Sequence, residues 1–177
     1  MRHFSDMDGK QRQLLIAQIA STARKLEKEY GACSRCTLFP FQEHLALGGE
    51  EAYLASVPFS GGVAGNGEVC GALIGALMAI GLAYGNGEVV WGSEEDRATF
   101  ADVRVHSNRV CDRFRERFGS LKCTRVQTCI HGRSWDLRDP ESAAEFSKKE
   151  IHDKCGDVVY FAAELAAKEI ILQTEAK

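Results

Sequence analysis

Between Lys10 and Tyr30, apolar side chains recur at three- and four-residue steps: Leu15, Ile19, Ala23, Leu26 and Tyr30. That is the period of an amphipathic helix. Arg24, Lys25, Glu27, Lys28 and Glu29 fall on the other face, and Gly31 supplies a stop. The pattern breaks at "ACSRC" and resumes as a short helix from about Pro40 to Leu47, because proline suits a first helical turn. "EEAYLASVPFSGGVAGNG" reads as a helical turn followed by a glycine-rich loop, and "NGEVV" as a turn. A second long segment runs from Ser93 to Phe118. Ser93 and Asp96 form a capping-box pattern, and Phe100, Val103, Val110, Phe114 and Phe118 make its stripe. Gly119 closes it, Ser120 caps a short helix carrying Cys123, and "CIHGRSWDLRDP" is a loop. A last helix spans about Ser142 to Thr174 with a break near Gly156. No segment sustains the two-residue alternation of a half-buried strand. The expectation is an all-α protein, a compact bundle of five or six helices in one domain over residues 1–177, with residues 1–9 as a flexible tail.

One segment, Val69 to Tyr84, has no polar face and predicts the central helix, buried all round. Gly71 and Gly75 share a face, with Ala72, Ala76, Ala79 and Ala83 as small neighbours. Leu73, Leu77, Ile80 and Tyr84 supply bulk on another side. Glycine costs about 1 kcal/mol relative to alanine inside a helix, so packing must offset it. A face this small lets a second backbone or a cofactor come close, though it also serves plain helix packing. The preceding loop, "SGGVAGNGE", delivers Cys70 to the helix start, where the partial positive charge lowers a thiol pKa. The glycine pattern matches neither the P-loop nor the dinucleotide fingerprint.

Composition narrows the function classes. The chain is 45% hydrophobic and 27% charged with a net charge of -3, and its Lys and Arg are scattered among Asp and Glu. No basic face is implied, and nucleic acid is not an expected partner. The N-terminus lacks the apolar core of a secretory signal, and Val69 to Tyr84 is too short for a membrane span. A cytoplasmic location is expected. There the seven cysteines argue for metal or redox chemistry rather than a disulfide scaffold.

Cys33 and Cys36 form a C-x-x-C followed by Thr37, which is not the haem-attachment motif, and no second C-x-x-C completes a zinc ribbon. Cys70, Cys123 and Cys155 each stand near a predicted helix end. Thiols so placed can converge from distant positions into a four-thiolate site for an iron–sulfur cluster or Zn²⁺. Cys111, beside Val110, reads as packing. His44, His106, His131 and His152 are further metal candidates, His152 lying three residues before Cys155. Trp91 and Trp135 read as seals of the core, and "DRFRERF" as a solvated face.

The segments "YGACSRCTLF", "GGVAGNGEVCGALIGALMAIGLAYG", "FGSLKC" and "KCGDVVYFAAELA" resemble the family of redox-active proteins named for a C…GCAxxG…C…C pattern. The resemblance covers most of the chain after Tyr30. It places the family cysteines on Cys33, Cys70, Cys123 and Cys155, and the GAxxG element on Gly71, Ala72 and Gly75, in the local order C-G-A-x-x-G. A related domain occurs in split-Soret cytochromes, which carry c-type haems and an iron–sulfur centre. Covalent haem is not implied here. What the resemblance implies is redox activity, with those four cysteines as metal ligands and the small residues as the cofactor's neighbours. The favoured expectation is an iron–sulfur cluster for electron transfer with a redox partner protein. The alternatives are a metal-free thiol–disulfide oxidoreductase with Cys33/Cys36 or Cys33/Cys70 as the exchanging pair, and a non-catalytic module with structural zinc. A homodimer stays open.

Overall fold

A computed structural model describes residues 4–85 and 90–173. The turn expected at "NGEVV", the first three residues of the expected tail and the end of the last helix at Thr174 lie outside the described residues. Eight α-helices, and no strand, make up what is described: α1 (Gly9–Tyr30), α2 (Cys33–Leu45), α3 (Glu50–Ser56), α4 (Gly71–Tyr84), α5 (Glu94–Phe118), α6 (Cys123–His131), α7 (Pro140–Phe146) and α8 (Lys149–Gln173). The all-α expectation holds, with more helices than the expected five or six. None is long and apolar enough to cross a membrane.

Local chemistry starts these helices. Asp8 accepts the Gln11 N–H at 2.8 Å while Gln11 accepts the Asp8 N–H at 2.9 Å, a reciprocal cap on α1. Ahead of it, residues expected as tail instead dock. Phe4 is buried, and Arg12 donates to its carbonyl at 2.9 Å. Ser93 accepts the Asp96 N–H at 3.0 Å to start α5, and Asp139 accepts the Ser142 N–H at 2.7 Å to start α7.

Several expected boundaries move. α2 starts at Cys33 and carries Pro40 inside it, because Gly31 and Ala32 (φ 69° and 68°) turn the chain before Cys33. α8 runs unbroken through Gly156, and the break falls at Ser147 and Lys148 instead. Gly156 is small because α1 lies against it: a Cβ there would stand 3.0 Å from Lys28 Cγ. The helix holding Cys123 is preceded by Lys122, whose N–H donates to Ser120 at 3.1 Å, and it extends through His131 into the expected loop. Phe100 is exposed and Trp91 stands 91% exposed, so neither seals the core, whereas Trp135 is buried.

The most extensive helix pairing is α1 with α8. Fully buried Ala20 and Ala23 on α1, and Ala162, Ala163, Ala166 and Ala167 on α8, keep both helices slim. The buried face of α1 is Ile16, Ile19, Ala20, Ala23 and Glu27. Leu15 and Leu26 sit at its edge, and Tyr30 is exposed. The inward stripe is thus rotated from the expected one and includes a carboxylate.

α4 packs against α2, α5 and α8, as a central helix should. Gly75 sits where α4 crosses α2, and a Cβ added there would collide with the Ser34 carbonyl and Thr37. Burial is not complete, however: Leu82 is partly exposed and Gly81 faces open space. These two glycines give a paired test. Gly75→Ala is expected to cost at least the 1–3 kcal/mol of an overpacked core, read as a lower urea midpoint. Gly81→Ala is expected to gain up to about 1 kcal/mol, since it removes a helix-interior glycine without a clash.

Candidate redox site

Cys33 opens α2, Cys70 caps α4 and Cys123 opens α6, so three helix starts each carry a thiol. Cys155 comes from the second turn of α8. All four line one cavity of about 170 Å³, walled also by Val126, Leu137, Phe146, Val158 and Val159.

Backbone contacts bring them together. Val69 and Lys122 form a short antiparallel bridge. The Cys70 N–H donates to Leu121 O at 2.8 Å, and the Cys123 N–H to Glu68 O at 2.5 Å. The glycine-rich loop and the start of α6 are therefore clipped to each other, with Cys70 and Cys123 side by side in the clip. Gly62 sits in the left-handed region (φ 72°), and a Cβ there would stand 2.6 Å from Cys123 Cβ. Across the cavity, a Cβ on Gly71 would stand 2.5 Å from Cys33 Sγ and 2.8 Å from Phe59 O. Ser34 anchors the other end of that loop by donating to Ser56 O at 2.7 Å and meeting Ser60 Oγ at 2.8 Å. Of the expected small-residue set, Ala72 lines the cavity, Gly71 faces Cys33 and Gly75 faces Ser34 instead.

The electrostatics follow from this crowding. Burial pushes the Cys33 thiol well above its ordinary range; Glu27 and Cys70 add to that, and the N–H groups of Gly61 and Ser34 oppose it. Cys70 is pushed up to about 12, by burial first and then by Cys123, against the N–H groups of Leu73 and Ala72. A helix start lowers a thiol pKa, and its N–H groups do act on this sulfur, but burial outweighs them. Cys123 is also pushed up to about 12, by burial and then Cys33, and the Gln127 amide, 3.5 Å from its sulfur, opposes the rise. Cys155 is raised well above the usual thiol by burial, then by Cys33, Glu27, Cys70 and Cys123. Each thiolate would thus raise its neighbours. All seven cysteines are free thiols, and no group of three or more His, Cys, Asp or Glu side chains among the described residues is placed to hold a metal ion. The sulfurs surround a volume instead of closing on a point.

The C-x-x-C divides between two places. Cys36 donates to Gly31 O at 2.8 Å and lines a separate hollow with Leu26, Tyr30, Arg35, Phe39 and Tyr53. Cys111 packs on the core from α5, and Cys129 is exposed. His44 meets Thr22 Oγ1 at 3.3 Å, His106 meets Glu169 at 2.7 Å and stacks on Tyr84, and His131 stands edge-on to Trp135. His152 alone of the candidate histidines reaches the cavity.

With His152 comes a residue the sequence pattern hid. Glu27 is 2% exposed and lines the cavity beside the thiols. Its Oε1 lies 3.3 Å from His152 Nε2, while its Oε2 is buried without a hydrogen-bond partner. Its neighbours Arg24, Lys25, Lys28 and Glu29 made it look like part of a solvated face. The available signal was the four-residue step from Ala23, which continues the buried stripe.

The hydrogen bond that His152 donates to Glu27 raises the His152 pKa above 6.5, opposed by burial and helped by the charges of Glu27 and Asp153. The pair's stabilisation is therefore complete below the unfolded imidazole's pKa and is lost as pH rises through the raised folded value. In the metal-free chain, the melting-temperature advantage of wild type over His152→Gln is expected to shrink as pH goes from about 6 to about 9. An advantage that grows with pH would contradict the pairing. By imidazole NMR, Glu27→Gln is expected to lower the His152 pKa.

No curated protein and no solved structure matches the chain. A family pattern does, over residues 31–169, the span that contains all four cavity cysteines; its description is "Putative redox-active protein (C_GCAxxG_C_C)". The chain belongs to this redox-active family.

Proposed function

We propose that the cavity binds an iron–sulfur cluster and that the protein transfers electrons through it. The observation that carries this reading is the convergence of four thiols, from four separate helices, on one cavity. Four buried thiolates would repel one another, and a cationic iron–sulfide core removes that cost. Cys33, Cys70, Cys123 and Cys155 are the residues that would hold it. Sulfurs spread around a cavity suit a multi-atom group better than a single ion. When bound, such a group supplies one-electron chemistry.

The chain's own contribution is to tune and shield. N–H groups of Gly61 and Ser34 point at Cys33, those of Ala72 and Leu73 at Cys70, and the Gln127 amide at Cys123. Gln127 is held in turn by the Trp135 N–H, 2.9 Å from its Oε1. Hydrogen bonds to ligand sulfurs favour their charged form and raise a cluster's potential. Val126, Leu137, Phe146, Val158 and Val159 give the cavity an apolar lining.

The metal-free thiol–disulfide reading has less support. Cys33 and Cys36 line different hollows, and although Cys33 and Cys70 share one, burial raises all three thiols, so none is marked as an attacking thiolate.

Anaerobic purification and reconstitution are expected to give a brown protein that bleaches on reduction, with matched iron and sulfide. Ser at Cys33, Cys70, Cys123 or Cys155 should each cut bound iron at least tenfold, whereas Cys111→Ser should retain it. Zinc alone would favour the structural-metal alternative. A metal-free chain with redox-dependent thiol counts would favour disulfide chemistry.

A further inference from the structure

Four thiolates satisfy an iron–sulfur cluster, yet the cavity holds another strong donor. Glu27 sits on the otherwise apolar inner face of α1, with Ile16, Ile19, Ala20 and Ala23 on the turns before it. It lines the same cavity as all four cysteines, so the carboxylate stands among them rather than behind one. One oxygen, Oε1, is fixed by His152. The other, Oε2, has no partner. Cys36 feels the same carboxylate both by charge and by a side-chain hydrogen bond, and its Sγ lies 2.8 Å from Gly31 O.

We propose that Glu27 is a further, oxygen ligand of the group held by the four thiols, with His152 as its positioning residue. The proposal rests on the cluster reading of the cavity. Its logic is electrostatic. An unbound carboxylate among four thiolates is repelled by every one of them and has lost its water. Bound to iron, it meets a cation through the oxygen that otherwise has none. A ligating carboxylate ordinarily has its second oxygen hydrogen-bonded, which is the arrangement His152 provides. The result is an inequivalent centre, with one iron carrying a hard oxygen donor beside sulfur and the others carrying sulfur alone.

Mössbauer spectroscopy on the full chain, reconstituted anaerobically with enriched iron, tests this directly. Wild type is expected to show one iron component set apart from the rest by its oxygen donor. Glu27→Gln is expected to lose that component while iron, sulfide and helical circular dichroism stay unchanged. Glu27→Asp keeps the charge but withdraws the oxygen by one methylene. It is expected to lose the component too, and it carries the test if the Gln variant does not fold. His152→Gln, which removes the anchor and leaves the carboxylate, should broaden the component without abolishing it. Wild-type and Glu27→Gln spectra that coincide, with the cluster intact, overturn the ligand role and leave the cluster reading standing. A wild-type chain that takes up no iron overturns both.

Discussion

Everything at the site depends on how closely α4 approaches α2. Gly71 and Gly75 lie one helical turn apart on the same face, and each lacks the atom that would prevent the approach. At Gly75 the neighbour is the Ser34 carbonyl; at Gly71 it is the sulfur of Cys33. The crossing therefore sets the distance between the first two cysteines of the pattern. A methyl group at either position would force apart the helix starts that carry them. The glycine cost in helix propensity is met by packing, and the two residues beside Ser34 and Cys33 are where that exchange takes place.

The fold class was readable because helices announce themselves by period and by caps. Ser93 and the glycines after Tyr30 and Phe118 all act as their residue types suggest. Boundaries failed where tertiary contacts overrode local rules. Pro40 suggests a helix start, but Ala32 already turns the chain with φ 68°, and α2 is under way before the proline. Gly156 suggests a breaker, but it is a contact residue for Lys28. Residue type alone places Trp91 in the core, yet it stands in solvent.

The site was legible in its sulfurs but not in its oxygen. Cysteine is rare enough that four of them before or within helices invite a common centre, and the glycine segment singled out the helix against which they gather. Glu27 offered no such contrast, because it stands in a run of charged residues and only its register within α1 shows which way it points. The Cys70 thiol is raised rather than lowered for a related reason. A helix start was visible in the sequence, whereas the degree of burial that overrides its dipole is a property of the assembled bundle.

The bridge between Val69 and Lys122 has a consequence for affinity. Many small metal sites draw their ligands from an unfolded chain, so part of the binding free energy goes into closing the intervening loops. Here Cys70 and Cys123, far apart along the chain, are held together by main-chain hydrogen bonds that involve no metal. That loop-closure entropy belongs to the folding of the bundle. Whatever binds these two thiols meets them already gathered, and gains in affinity what it need not do in ordering them.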